Sequence, residues 1–402
     1  MTEAIFFDDG LGLLAPLTDL RSTFEVRTGA LTNLERLSRA LGLESRAVVV
    51  PPRLAAVVAE RLPECGVNGP GASDEPVLHI NGRCALPHEE VLALEPGQGA
   101  VEAGSGHLVA AVLLPSEFEA WAKGDTASVA SVVELPAPAL LSRPWHAIAF
   151  RDRCIEIDLD LLSGTPTREL PPAVLGIGDA PLTIGPSAVV YPGVTLDLEH
   201  GPIVIAEYAV IRPGATIIGP AYIGPHTTVL ERALIKPNTA IGPWCKVSGE
   251  ISGVIFQGFS NKGHEGFLGD AHVGEWVNLG AGTSNSNLLN TYSEVIAKAP
   301  GGGNERTGLT FLGAIIGDHV KTAIGSRIMT GSVLQTGGMF AQAAAVSGTT
   351  PRFAWSTDAG LKSFRIDKFM ETARAMMARR GKKPTGAYEE AVMSLGDRSE
   401  GW

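Results

Sequence analysis

Ile205-Ala-Glu-Tyr-Ala-Val-Ile211-Arg-Pro-Gly-Ala-Thr-Ile217-Ile-Gly-Pro-Ala-Tyr-Ile223-Gly-Pro-His-Thr-Thr-Val229-Leu-Glu-Arg-Ala-Leu-Ile235-Lys-Pro-Asn-Thr-Ala-Ile241-Gly-Pro-Trp-Cys-Lys-Val247 carries an aliphatic residue at every sixth position. Small or turn-forming residues fall between them. Neither the 3.6-residue period of a helix nor the two-residue period of a strand produces this pattern. A hexapeptide repeat does, because each short strand sends one aliphatic side chain into a common stack and then turns a corner. Three hexapeptides make one triangular coil. The stretch therefore predicts a parallel β-helix, in the left-handed form that departs from the usual right-handed crossover.

The repeat begins upstream with Ile184, Val190 and Leu196. It returns with Phe267, Val273 and Leu279, and again with Ile316, Thr322, Ile328 and Leu334. Ile251 to His264 shifts its register, and Thr283 to Thr310 is too polar and Gly-rich to form coils. Loops ejected from a rigid scaffold are where chemistry is commonly placed. The candidates are Asn261, Lys262 and His264 at the first break, and Asn278, Asn285, Ser286, Asn287 and Asn290 at the second. A histidine there suits a general base, its ordinary pKa of ~6.5 lying near working pH. Asparagines can hydrogen-bond sugar hydroxyls or an oxyanion, although they also suit tight corners for backbone reasons. His226, His272 and His319, with Asp318 and Lys321, read as surface residues of coil corners.

Upstream, short apolar runs alternate with helical patterns, which argues a parallel α/β sheet. Ala4 to Phe7, Ala47 to Val50, Val77 to Ile80 and His107 to Leu114 read as strands. Thr32 to Leu41, with the capping box Thr32/Glu35, reads as a helix, as do Arg53 to Arg61 and Pro115 to Ala122. Ser142 to Leu162 reads as a helix and a short strand. Ligands of open α/β sheets lie at the carboxyl ends of strands, which favours Asp8, Asp9, Asn81 and Arg83. Arg21 and Arg27 are candidates to hold phosphates. No Gly-rich phosphate fingerprint is present. After Pro351, Asp367 to Arg380 reads as an amphipathic helix capping the last coil, and it ends in the basic run Arg379-Arg380-Gly-Lys382-Lys383.

The net charge of −11, from 32 basic and 43 acidic residues, argues against nucleic acid or an anionic membrane as partner. Four dispersed cysteines without a CxxC pair imply reduced thiols. With no basic signal region and no membrane span, the expectation is a cytoplasmic protein.

Gly263-His264-Glu-Gly-Phe267-Leu268-Gly269-Asp270, followed by Asn278-Leu-Gly280-Ala281-Gly282-Thr283, resembles a specific family. It is similar to the acetyltransferase half of the GlmU-like family, bifunctional N-acetylglucosamine-1-phosphate uridyltransferase / glucosamine-1-phosphate acetyltransferase. Phe7-Asp-Asp-Gly, Ile80-Asn-Gly-Arg and Ile316-Gly-Asp-His look like its divergent, putative sugar nucleotidyltransferase branch. The resemblance implies a nucleotidyltransferase-like α/β domain over 1–135, a connector over 136–172, a left-handed β-helix acyltransferase domain over 173–350, and a helical C-terminal tail over 351–402. It implies acetyl-CoA as co-substrate and an amino-sugar 1-phosphate as acceptor. UTP or dTTP with Mg²⁺ would serve the N-terminal half, and the assembly would be a homotrimer.

Carried over by position, the resemblance makes His264 the base and sets Asn287 near the reacting carbonyl. Arg212 would bind the sugar phosphate. Phe267 stands where the family has tyrosine. Asn278 and Ala281 match sugar- and acetyl-CoA-contacting positions, while Lys262 and Asn285 join the substrate-binding set. The family's lysine pair before the histidine is not reproduced, with Lys246 and Lys262 the nearest substitutes. Three readings stay open: an N-acetyltransferase with a nucleotidyltransferase-like domain, a nucleotidyltransferase whose β-helix only oligomerises, and a non-catalytic scaffold.

Overall fold

The computed structural model describes residues 2–69, 75–122, 129–136, 138–164 and 169–396. Parts of the expected connector (137 and 165–168) and the end of the tail (397–402) lie outside the described residues. The chain divides into two compact units, Met1–Gly12 with Leu20–Val26 and Leu31–Ser142, and Leu13–Asp19 with Arg27–Ala30 and Arg143–Trp402.

In the first unit β1 (Thr2–Phe7), α1 (Asn33–Leu41), β2 (Leu43–Val49), α2 (Ala55–Arg61), β3 (Gly66–Val67) and β4 (Val77–Asn81) follow one another. Then come β5 (Gln98–Glu102), β6 (Leu108–Leu113), α3 (Pro115–Ala122) and β7 (Ser131–Leu135). The Thr32/Glu35 capping box forms at the start of α1, as the spacing requires. The sheet order is β3-β2-β1-β4-β6-β5-β7. It is mixed, which corrects the expectation of a parallel sheet: β6 runs antiparallel to both β4 and β5. β3, β5 and β7 carry too little apolar alternation to stand out in the sequence. β1 lies between β2 and β4, parallel to both, so its carboxyl end opens at the switch point of the sheet.

In the second unit, α4 (His146–Ala149) and α5 (Arg151–Leu162) replace the expected helix and strand. Ile155 and Leu159 of α5 pack on Val204, Tyr222 and Ala240 of the coils. The coils form three parallel faces. The first runs through Thr195–Asp197, Thr216–Ile218, Leu234–Ile235, Glu250–Ser252 and Phe267–Gly269. The second runs through Ile203–Ile205, Ala221–Ile223, Thr239–Ile241, Ile255–Gly258 and His272–Glu275. The third runs through Val210–Ile211, Thr228–Val229, Lys246–Val247 and Asn261–Lys262. Ile211, Ile217, Ile223, Val229, Ile235, Ile241 and Val247 are all fully buried in one continuous core. Removing one methyl from this ladder in Ile235→Val should cost about 0.5–1.5 kcal/mol, read as a lower midpoint in urea unfolding.

The corner between the second and third faces is built from aromatic residues. Tyr208, His226, Trp244, Phe259, Trp276 and His319 all have φ between +54° and +61°. Bulky residues rarely adopt this conformation. Ring stacking compensates, with centroids 4.8 Å apart for Tyr208–His226, 4.2 Å for His226–Trp244 and 4.6 Å for Phe259–Trp276.

His226 is exposed as expected, whereas His272, His319 and Asp318 are buried. Segments distant in sequence cover or engage them. His272 Nε2 lies 3.1 Å from the Arg27 carbonyl, His319 Nε2 lies 2.7 Å from the Tyr388 hydroxyl, and Asp318 accepts from the Glu275 amide. Lys321 is half-buried, and burial lowers its pKa to about 8. The second break begins later than expected. Ser284–Asn285 still forms a rung, and the chain then leaves the coil, with a hairpin of Ile296–Lys298 and Asn304–Arg306, before returning at Ala314–Ile316.

The tail forms α6 (Ile366–Ala378) and α7 (Gly386–Gly396). Phe369 of α6 packs edge-on to Phe353 and His319. Instead of only capping the last coil, the segment after α6 reaches back along the coils. Arg380 donates to Asn261 Oδ1 at 2.6 Å and to the Trp244 carbonyl, and Lys382 Nζ stands 5.6 Å from the Trp244 ring centroid.

Candidate active site

Between the third and first faces, each coil turns a corner, and residues 263–266 make the one that carries His264. The imidazole is exposed and has no hydrogen-bond partner among the described residues. Ala281 lies in the corner of the next coil, where the Gly282 amide donates to the Glu265 carbonyl. On the adjoining face the Phe267 ring lies across Gly269, where a Cβ would fall 2.4 Å from Phe267 Cζ and 2.9 Å from Asn287 Nδ2. Gly269 is thus required by the ring above it. Phe267 and Asn287 meet over Gly269 on the first face, while His264 and Ala281 lie in the corners that lead into that face.

Asn287 is held by residues that the sequence does not advertise. Its Nδ2 donates to Asp270 Oδ2 at 2.7 Å, and Asp270 Oδ1 accepts from Arg151 at 2.6 Å. Arg151 also donates to the Gly253 carbonyl at 2.7 Å. Burial opposes the Arg151 charge, but Asp152 and Asp270 outweigh it and hold its pKa above the ordinary value. Asp270 could have been singled out from its place in the Gly269-Asp270 segment. Nothing in the sequence around Arg151 points to this role.

Other expected ligands stand elsewhere. Arg212 follows Ile211, whose register runs through Val229 and Val247 to Lys262, three coils from the His264 corner. At the usual strand spacing that is roughly 14 Å. Its guanidinium pairs with Glu231 at 2.8 Å over the Tyr191 ring, 4.5 Å from the centroid. Asn285 points inward, and both its amide atoms are used by the Gly269 backbone, at 2.7 and 2.8 Å. Lys262 is fully buried, its ammonium bonded to main-chain carbonyls, so it is not placed to touch a substrate. Asn278 is exposed on the third face, in register between Asn261 and Lys321.

In the first unit, Asp8 and Asp9 follow β1, and Asn81 ends β4 with Arg83 just beyond it. Asp8 accepts from Ser22 Oγ at 2.9 Å and from the Thr23 and Gly10 amides, both at 3.0 Å. Asp9 accepts from Arg83 at 2.6 and 2.9 Å, from Asn81 at 2.7 Å and from the Leu11 amide at 3.0 Å. Burial pushes the Asp9 carboxyl up, but the Arg83 guanidinium and these amides hold its pKa below the ordinary carboxylate value. Both Asp9 oxygens are committed to Arg83, Asn81 and the Leu11 amide, so Asp9 is not placed to hold a Mg²⁺ ion. No cluster of three or more His, Cys, Asp or Glu among the described residues is arranged for a metal. Arg21 is buried in this unit. Arg27 belongs to the other, buried there with its guanidinium on the Ala30 carbonyl and its amide on Gln257. Neither is presented to a phosphate. No helix among the described residues is long and apolar enough to cross a membrane.

Residues 4–166 match the family described as "Sugar nucleotidyl transferase". Two proteins called "Bifunctional protein GlmU" are similar. The one from Synechococcus sp. is 30% identical over 115 residues, 28% of this chain and 25% of its own length. The one from Gloeobacter violaceus is 36% identical over 63 residues, 15% of this chain and 14% of its own. The aligned part of the chain thus spans a quarter or less of these relatives.

Among solved structures, a hexapeptide transferase family protein from Anaplasma phagocytophilum aligns over 56% of this chain and 96% of its own, with TM-score 0.27 and 12% identity. UDP-N-acetylglucosamine acyltransferase from Campylobacter jejuni aligns over 58% and 92%, with TM-score 0.23 and 15% identity. The β-helix itself rests on the strand pairing described above.

Proposed function

We infer, from the premise that this chain is a divergent GlmU-like protein, that its β-helix transfers an acetyl group from acetyl-CoA to the amino group of an amino-sugar 1-phosphate. The observation that carries this reading is the exposed imidazole of His264, without a hydrogen-bond partner among the described residues, at the corner leading into the face where Phe267 and Asn287 meet over Gly269 and Asp270 holds the Asn287 side chain. In the reaction, the neutral amine attacks the thioester carbonyl while His264 accepts its proton. The C–N bond forms, the C–S bond breaks, and CoA leaves as the thiol after taking up a proton. An amide donor such as Asn287 suits the tetrahedral oxyanion. Phe267 offers an apolar wall to the sugar ring. A homotrimer and a cytoplasmic location accompany this reading.

A second reading adds sugar-1-phosphate nucleotidyl transfer with UTP or dTTP in the first unit. It is favoured by the family match over residues 4–166 and by the polar cluster at the switch point between β1 and β4.

The test is CoA release from acetyl-CoA with glucosamine 1-phosphate as acceptor, run beside pyrophosphate release from UTP and dTTP with glucosamine 1-phosphate and N-acetylglucosamine 1-phosphate. CoA release supports the first reading, and pyrophosphate release supports the second. Absence of CoA release with glucosamine, galactosamine and mannosamine 1-phosphates would remove the acetyltransferase reading, and silence in both assays leaves the scaffold.

A further inference from the structure

One position inside the prism breaks the aliphatic pattern. The inward register of the third face reads Val190, Ile211, Val229, Val247 and then Lys262. Lys262 is fully buried where the preceding coils place a hydrocarbon. Burying an ammonium is costly unless every donor finds an acceptor. Here three carbonyls meet Nζ: Ser248 at 3.5 Å, His264 at 2.5 Å and Glu265 at 2.8 Å. Burial lowers the Lys262 pKa to about 8, with Glu265 acting in the opposite sense.

These carbonyls belong to an unusual corner. In three other coils a backbone turn bond closes the same corner: Ala215 to Arg212, Ala233 to Leu230, and Thr283 to Gly280. No such bond links residues 263 and 266 among the described residues. The corner before it, at Ser248-Gly249, is two residues shorter, since inward Val247 is followed by inward Ile251. A Cβ on Gly249 would lie 3.0 Å from the His264 carbonyl oxygen. The His264 carbonyl is therefore turned over Gly249 toward the interior, where the lysine meets it.

We propose that Lys262 is a positioning residue for His264: its buried ammonium clamps the His264 and Glu265 carbonyls and fixes the corner from which the imidazole projects. This rests on His264 being the base of the proposed transfer. The clamp does for this corner what a turn bond does for the others, but from a side chain, so it leaves the corner backbone free to adopt a different shape.

Lys262→Met keeps the length of the side chain and removes the donors. Acetyl transfer should fall roughly 10- to 100-fold in kcat, with KM for acetyl-CoA nearly unchanged, as expected when a reacting group is misplaced by about an ångström. In a His264→Ala background the same substitution should cost nothing further. Histidines labelled at Cε1 give an independent readout by NMR. The signal missing in His264→Ala should be the one displaced in Lys262→Met. An unmoved His264 signal in folded Lys262→Met would overturn the clamp, as would the same loss of kcat in both backgrounds. Full turnover by His264→Ala would remove the base instead, while the NMR result still decides the clamp. If Lys262→Met does not fold, Lys262→Gln, which keeps one donor group, takes its place in every arm.

Discussion

Replacing His264 with alanine is expected to lower acetyl transfer by about 10²- to 10⁴-fold, the range that a positioned general base contributes. The loss should fall on kcat and kcat/KM together, because proton acceptance from the amine occurs in the transition state. The corner loop is exposed at His264, and the imidazole has no hydrogen-bond partner among the described residues. Thermal melting should consequently be nearly unchanged, as for other exposed positions without a structural role. Steady-state CoA release paired with a melting curve checks both halves. An alanine variant with wild-type kcat would end the assignment of His264 as base.

The second large effect is expected at Arg83. Its side chain is fully buried and that of Asp9 is 5% exposed, with Nη2 and Oδ2 2.6 Å apart. Arg83→Met leaves a buried carboxylate without its cation, which typically costs about 3–5 kcal/mol. Urea unfolding followed by signals from the first unit should show that loss. Asp9→Leu combined with Arg83→Met should recover most of it, because the pair then disappears together.

The sign with pH follows from the lowered pKa of Asp9. Unfolded Asp9 binds its proton near the ordinary value of about 3.9, and folded Asp9 binds it lower. The pair's contribution is therefore complete above that ordinary value and is lost as pH falls through the folded one. In Arg83→Met burial acts on Asp9 without the guanidinium and raises its pKa, so the difference between wild type and variant should be largest near neutral pH and shrink as pH falls, first through the variant's raised pKa and then through the lowered one of wild type. A difference that grew in acid would contradict the burial and pairing described for Asp9.

Periodicity at six residues was enough to place Ile211 through Val247 inside a coil, because a stack of aliphatic residues leaves the same mark in every rung. The capping box of α1 was equally legible, being a local arrangement over Thr32 to Glu35. Strand β1 stood out from its apolar run, whereas β5 and β7 contain Gln98, Gly99, Ser131 and Glu134 and gave no comparable signal.

The site divides along the same line. His264, Phe267 and Asn287 belong to contiguous segments whose residue types suggest chemistry, so the sequence by itself determined the candidates, although it set Asn287 in a loop from Thr283 where the coil continues through Asn285. What each side chain is free to do was decided only by tertiary structure. Lys262 and Asn285 look like ligands in the sequence, yet they face inward, because a strand's alternation sends every second residue into the prism. Arg212 is set three coils away by a register that only strand pairing defines. Asp9 is bound to Arg83, which lies 74 residues further along. Arg151 reaches Asp270 across 119 residues and, through it, holds Asn287. Hydrogen bonds and burial depend on distance in space, and a linear pattern records only neighbours along the chain.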